Sequence, residues 1–148
     1  MERETVLQIR RSFSAPPEKV FQAWTQKEQI GRWFAPQKEF KTIIHDLDVR
    51  PGGNYRLELQ SPDGKVSIVK GTYREVVPSQ KLVFSWFWET EEQYGETEVT
   101  LEFLQKQKGT ELILTHRNFP DRIVRDEHDR GWNGCLDQLQ EMVEAASL

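Results

Sequence analysis

The feature that most constrains this chain is the stretch from Asp126 to Ala146. Trp132, Cys135, Leu136, Leu139, Met142, Val143 and Ala146 recur there at steps of three and four residues, so they share one stripe of a helix. Asn133, Asp137, Gln138, Gln140, Glu141 and Glu144 fill the other side. A helix of about 20 residues spans ~30 Å, and its apolar stripe needs a cover of equal length. The preceding segment has to supply it.

That segment reads mainly as strands. From Thr5 to Ser14, Leu7, Ile9 and Phe13 alternate with Gln8, Arg10 and Ser12, the period of a half-buried strand. Arg11 falls on the apolar side, either as a strand-end cation whose head reaches water or as a cation inside a pocket. Ser14 to Glu18 then reads as a helix start, with Ser14 as cap and proline in the first turn. Val20, Phe21 and Trp24 give that helix an apolar face. Thr25 is positioned to cap a second short helix through Ile30 and Trp33, and Phe34, Ala35 and Pro36 end the pair, because the residue before a proline disfavours helix.

Six strands follow between Phe40 and Asn118. Turns at Arg50 to Gly53, Pro62 to Gly64, Pro78 to Gln80, Tyr94 with Gly95, and Lys108 with Gly109 separate them, built from residues that preset or permit turn dihedrals. The strand from Lys81 to Glu89 carries Leu82, Phe84, Trp86 and Trp88 on one face, but Val83 and Phe87 make the other face apolar too, which predicts a central position. In the last strand Leu112, Leu114 and His116 point inward. The order is strand, two short helices, six strands, long helix: an α+β chain in which a curved antiparallel sheet wraps around the C-terminal helix. At 148 residues this is expected to be one domain spanning 1–148.

Charge and composition remove several classes of function. The net charge is -4 with no basic stripe, which argues against nucleic acid. No apolar run is long enough to span a membrane, and Met1 to Glu4 does not open a secretory signal. Cys135 is the only cysteine, so neither an internal disulfide nor a cysteine-rich metal cluster is available, and a cytoplasmic location is expected. Three scattered histidines complete no metal site, and no cofactor is implied. Eight Phe, five Trp and three Tyr concentrate the apolar volume in bulky rings, a composition that tends to leave irregular space between them.

Several stretches resemble one family. APPEKVFQAWT from Ala15 to Thr25, RWF from Arg32 to Phe34, RPGGNY from Arg50 to Tyr55, GTYREVVP from Gly71 to Pro78, VTLEF from Val99 to Phe103, and Gly131 with Trp132 in the final helix occur in the right order across nearly the whole chain. Together they are similar to the START-like, helix-grip (SRPBCC) superfamily. Within it they resemble the small bacterial proteins related to the C-terminal domain of the activator of the heat-shock-protein-90 ATPase. The resemblance implies a deep apolar cavity between sheet and final helix, used across the superfamily for lipids, sterols, polyketides and other small apolar molecules.

Strand parity and position line that cavity with Phe34, Tyr55, Tyr73, Phe84, Trp86, Trp88, Leu101, His116, Phe119, Trp132 and Leu136. The expected partner is a small hydrophobic molecule, lipid-like or an aromatic metabolite. Gly131 and Gly134 each cost ~1 kcal/mol in a helix relative to alanine, so each is there for close packing or for ligand space beside Trp132. Two other functions stay open. One is a polyketide cyclase or dehydratase type of enzyme, with His116, Arg11 or Tyr55 orienting an enolisable substrate. The other is an ATPase-activator-like protein with a chaperone partner. A free sheet edge also leaves a homodimer open.

Overall fold

The computed structural model describes residues 5–145. The elements run β1 (Leu7–Phe13), α1 (Pro17–Thr25), α2 (Lys27–Trp33), β2 (Lys41–Leu47), β3 (Asn54–Gln60), β4 (Val66–Val77), β5 (Lys81–Trp88), a 3-10 turn (Glu92–Tyr94), β6 (Thr97–Lys106), β7 (Gly109–Arg117) and α3 (Arg122–Ala145). The seven strands form one antiparallel sheet in the order β1-β7-β6-β5-β4-β3-β2. This is the expected α+β helix-grip arrangement, and β5 is the central strand. Ala146 of the expected stripe lies outside the described residues, as do Met1 to Glu4.

β1 and β2 sit at opposite edges of the sheet, so the two short helices between them have to cross from one edge to the other. In crossing, α1 meets β6, β7 and α3, and α2 meets β2 and α3, closing one end of the grip. The concave face contributes Leu57, Val69, Leu82, Val99, Leu101, Leu112 and Leu114, all fully or almost fully buried. α3 presents Trp132, Leu136, Leu139 and Val143 to them. Among the described residues the outer face has no second layer. Phe87 is half-buried there, with the Lys70 ammonium 5.7 Å from its ring centre.

Local chemistry departs from the sequence reading at several helix ends and at one strand. α3 starts at Arg122, four residues before Asp126, because the Asp121 carboxylate accepts from the Val124 amide (2.9 Å) and its carbonyl from the Arg125 amide (3.2 Å). Neither Ser14 nor Thr25 caps a helix. The N-cap positions of α1 and α2 are Pro16 and Gln26, and neither makes a side-chain cap; the Ser14 amide donates to Glu144, and the Thr25 hydroxyl turns back to the Phe21 carbonyl. β2 carries a bulge between Ile44 and Asp46 that breaks the two-residue alternation, so His45 and Asp46 are both exposed although they are adjacent. His45 pairs with Glu58 at 2.7 Å.

The β3–β4–β5 junction is built around a glycine. The β4–β5 ladder runs from Val69 opposite Trp88 to Lys70 opposite Phe87 and resumes at Tyr73 opposite Phe84, leaving Gly71 and Thr72 unladdered. Tyr55, paired with Gly71 across β3 and β4, lays its ring over that glycine and donates its hydroxyl to the Ser85 carbonyl at 2.5 Å. The Thr72 amide donates to the Ser85 hydroxyl at 2.8 Å. A phenol and a serine hydroxyl thus replace the missing rungs.

Candidate apolar ligand site

The space between sheet and α3 is mostly filled by rings. Trp86 is the hub: its ring centre lies 5.0 Å from Trp132, 5.5 Å from Trp88 and His116, and 6.1 Å from Phe34. Among the described residues it borders two spaces, one toward α1 and α2 and one toward α3. One is a small void of ≈ 20 Å³ bordered by Trp24, Ile30, Phe34, Tyr55, Leu57, Tyr73, Leu82, Phe84 and Trp86. The other is a cavity of ≈ 90 Å³ with an apolar lining of Phe34, Pro36, Leu59, Trp86, Trp88, Gly131, Trp132 and Cys135. Phe34 and Trp86 form the shared partition.

The anticipated lining therefore divides. Phe34, Tyr55, Tyr73, Phe84 and Trp86 border the void, and Phe34, Trp86, Trp88 and Trp132 border the cavity. Leu101, His116, Phe119 and Leu136 border neither and are buried in the packed core. Leu59, Pro36 and Cys135 line the cavity without having been singled out for it. The alternation in β3 already places Leu59 on the face of Tyr55, whereas Pro36 arrives by the loop after α2, for which the sequence holds no signal.

The two helix glycines separate cleanly. A side chain on Gly134 would collide with the Pro36 carbonyl oxygen and lie 3.0 Å from its carbon, so this glycine permits close packing against the α2–β2 loop. A side chain on Gly131 would meet nothing within 4 Å. Gly131 is the one that leaves room in the cavity.

The polar groups offered for catalysis are each engaged elsewhere. His116 is fully buried. Its Nδ1 accepts from Trp132 Nε1 at 3.0 Å, which places the proton on Nε2; that proton is donated to Thr97 Oγ1 at 2.7 Å, and Thr97 in turn donates to the Trp86 carbonyl at 3.1 Å. Burial, with His128 nearby, holds its pKa well below the ordinary imidazole value, so the ring is a neutral connector between α3 and the sheet. Arg11 lies against the polar side of α3, donating to Asp137 (2.7 Å), Gln140 (3.2 Å) and Asn133 (3.1 Å). It fastens β1 to the helix and lines neither of the two spaces. The Tyr55 phenol, its pKa raised by burial, is committed to Ser85. These three groups do not converge.

His128 sits on α3 and ties that helix to β5. Its Nε2 accepts from Trp88 Nε1 at 2.9 Å, so Nδ1 carries the proton and donates to the Val124 carbonyl at 2.8 Å. Its ring centre is 5.3 Å from that of His116. Cys135 is buried, and burial pushes its thiol up to about 12, so it is an apolar wall atom rather than a nucleophile at neutral pH. Among the described residues no three His, Cys, Asp or Glu side chains are grouped to hold a metal ion, and no helix is long and apolar enough to cross a membrane.

Comparison with known proteins supports this architecture. The family model described as activator of Hsp90 ATPase homolog 1-like protein matches residues 14–144. None of the curated proteins matches the chain in sequence. Among solved structures, a protein from Chromobacterium violaceum is similar with a TM-score of 0.88 at 26% identity, over 95% of this chain and 97% of that one. A protein from Rhodobacter sphaeroides gives 0.81 at 26% identity over 98% and 95%. The AHSA1 protein from Silicibacter pomeroyi gives 0.82 at 25% identity over 93% and 96%.

Proposed function

The chain belongs to the activator of Hsp90 ATPase homolog 1-like family, and from that premise we propose that it binds a small hydrophobic molecule in the cavity between the sheet and α3. The observation that carries this reading is the apolar cavity of ≈ 90 Å³ beside Gly131. A helical glycine that packs against nothing gives up ~1 kcal/mol of helix stability relative to alanine, and here it keeps the cavity wall open. Size narrows the ligand. Pockets for drug-sized molecules measure ~300–1,000 Å³, so this one favours a small ring or short aliphatic group, the aromatic-metabolite end of the expected range rather than an entire sterol or long lipid.

The test is tryptophan fluorescence during titration with small aromatics, fatty acids and sterols, because Trp86, Trp88 and Trp132 all line the cavity. A saturable shift with the small aromatics, lost in Gly131→Leu, is the expected result. The leucine reaches into the cavity and its Cβ meets no neighbour within 4 Å; circular dichroism of the variant checks that it is folded. No saturable response from any class, or an equal response in Gly131→Leu, would overturn the proposal.

A second reading follows from the family's own description, which names an activator of a chaperone ATPase. Its test is pull-down of the purified chaperone by the intact chain; stimulated ATP turnover would establish it, and absence of both binding and stimulation would remove it.

A further inference from the structure

The apolar cavity has a charged neighbour. A surface groove of ≈ 210 Å³ is lined by Lys65, Ser67, Glu91, Tyr94, Glu127 and His128, and by Trp88, the residue it shares with the cavity. The two spaces also meet on the sheet and on the helix. Leu59 of the cavity stands opposite Ser67 of the groove in the β3–β4 ladder, a separation of ~5 Å. On α3, Gly131 of the cavity and Glu127 of the groove are four residues apart, about 6 Å along one face of the helix. Cavity and groove thus form one trough, apolar at one end and charged at the other.

The charges in the groove are sorted by element. Lys65 and Ser67, at the β3–β4 hairpin, bring an ammonium and a hydroxyl; Glu91, in the β5–β6 connection, and Glu127, on α3, bring two carboxylates. Burial first, then the charges of Glu127 and Glu91, raise the Tyr94 pKa, so both carboxylates act on that phenol. Glu91 accepts from Gln93 Nε2 at 2.6 Å and Glu127 from the Tyr94 hydroxyl at 3.4 Å, both neutral donors. Among the described residues no salt bridge joins Lys65 to either carboxylate.

Resting on the binding function proposed above, we infer that the ligand is a zwitterion of the α-amino-acid class with an aromatic or branched side chain. That side chain occupies the cavity beside Gly131, the ammonium lies by Glu91, Glu127 and the rings of Trp88 and Tyr94, and the carboxylate meets Lys65 and Ser67. An amine alone would bring a second cation beside Lys65, and an acid alone would face two carboxylates; a zwitterion gives each charge its complement, and the ring faces favour the ammonium. The step of ~6 Å from Gly131 to Glu127 matches the reach from a phenyl ring to the charged groups of phenylalanine.

The experiment titrates the intact chain with phenylalanine, phenethylamine, hydrocinnamate and ethylbenzene, which share one ring and differ in charge, and follows tryptophan fluorescence. Phenylalanine is expected to bind about fivefold more tightly than the amine or the acid, the worth of one partly exposed ion pair. Glu127→Gln should weaken phenylalanine and the amine by a similar factor without weakening the acid, and Lys65→Met should weaken phenylalanine and the acid without weakening the amine. A purely structural role for either side chain would shift all four ligands alike and overturn the assignment. Both residues are exposed, and circular dichroism checks that the variants fold; should either fail, the wild-type ranking decides. An amine or acid that binds as tightly as phenylalanine, or binding of ethylbenzene alone, would overturn the zwitterion while leaving the apolar cavity in place. No binding of any of the four would overturn both proposals.

Discussion

Gly131 and Gly134 lie less than one helical turn apart and do opposite work. Gly134 touches the backbone of Pro36, which has no rotamer with which to retreat, while Gly131 faces open space. Gly134→Ala should therefore destabilise the fold by about 1–3 kcal/mol, the ordinary cost of overpacking, and Gly131→Ala should raise stability by up to ~1 kcal/mol through helix propensity. Urea denaturation of the two variants reads both signs, and a stabilised Gly134→Ala would show that the loop carrying Pro36 yields. His116 offers a second residue-scale test. Replacing it with Ala strands the Trp132 indole donor and opens a cavity, so a loss of about 3 kcal/mol is expected, again by urea midpoint. That two glycines in this helix must have a reason is legible in sequence from their cost alone; which of them packs and which leaves space is not, since the answer depends on a loop carbonyl some hundred positions away.

At the scale of elements, the junction of β3, β4 and β5 depends on Gly71. A Cβ there would collide with the Ser85 carbonyl oxygen and stand 2.7 Å from the Tyr55 ring edge. Gly71→Ala should cost about 1–3 kcal/mol, and because one of the obstacles is backbone, adding Tyr55→Phe should not restore stability; thermal melting of the single and double variants checks this, and recovery in the double variant would place the whole conflict on the phenol. Strand number, helix order and the central place of β5 could be read from alternation and turn residues, because those signals are local. The β2 bulge, the Asp121 cap and the pairing of β1 with β7 could not, because each is decided by a partner on another element or by turn geometry. Alternation assigns a side chain to a face but not to a depth along it. For that reason Leu101 and Leu136 share the inward face with Trp86 and Trp132 and yet lie in packed core rather than at the cavity.

For the whole molecule, α3 is held against the sheet by two neutral imidazoles, and this gives stability a defined pH dependence. His116 joins Trp132 of α3 to Thr97 of β6, and His128 of α3 accepts from Trp88 of β5. Desolvation holds both pKa values below the ordinary 6.5; the repulsion of His128 adds to it at His116, while the Val124 carbonyl and Glu127 work against it at His128. The unfolded chain thus binds protons that the folded chain refuses. Stability is complete above about pH 6.5 and declines as pH falls below it, by at most ~1.4 kcal/mol per pH unit for each histidine. Glu58, Asp63 and Glu89, whose pKa values are lowered by hydrogen bonding, contribute stability that is lost only at lower pH, below the ordinary carboxylate range, so the two effects separate. The urea midpoint should be flat from pH 8 to 7 and fall between pH 6.5 and 5, and replacing both histidines with Gln should flatten that interval. Protonating His128 also removes the acceptor of the Trp88 indole at the cavity wall. Tryptophan fluorescence of the folded chain should then change with pH on the His128 titration and lose that change in His128→Gln; a change that persists in the variant would mean that some other group loosens the helix from the sheet.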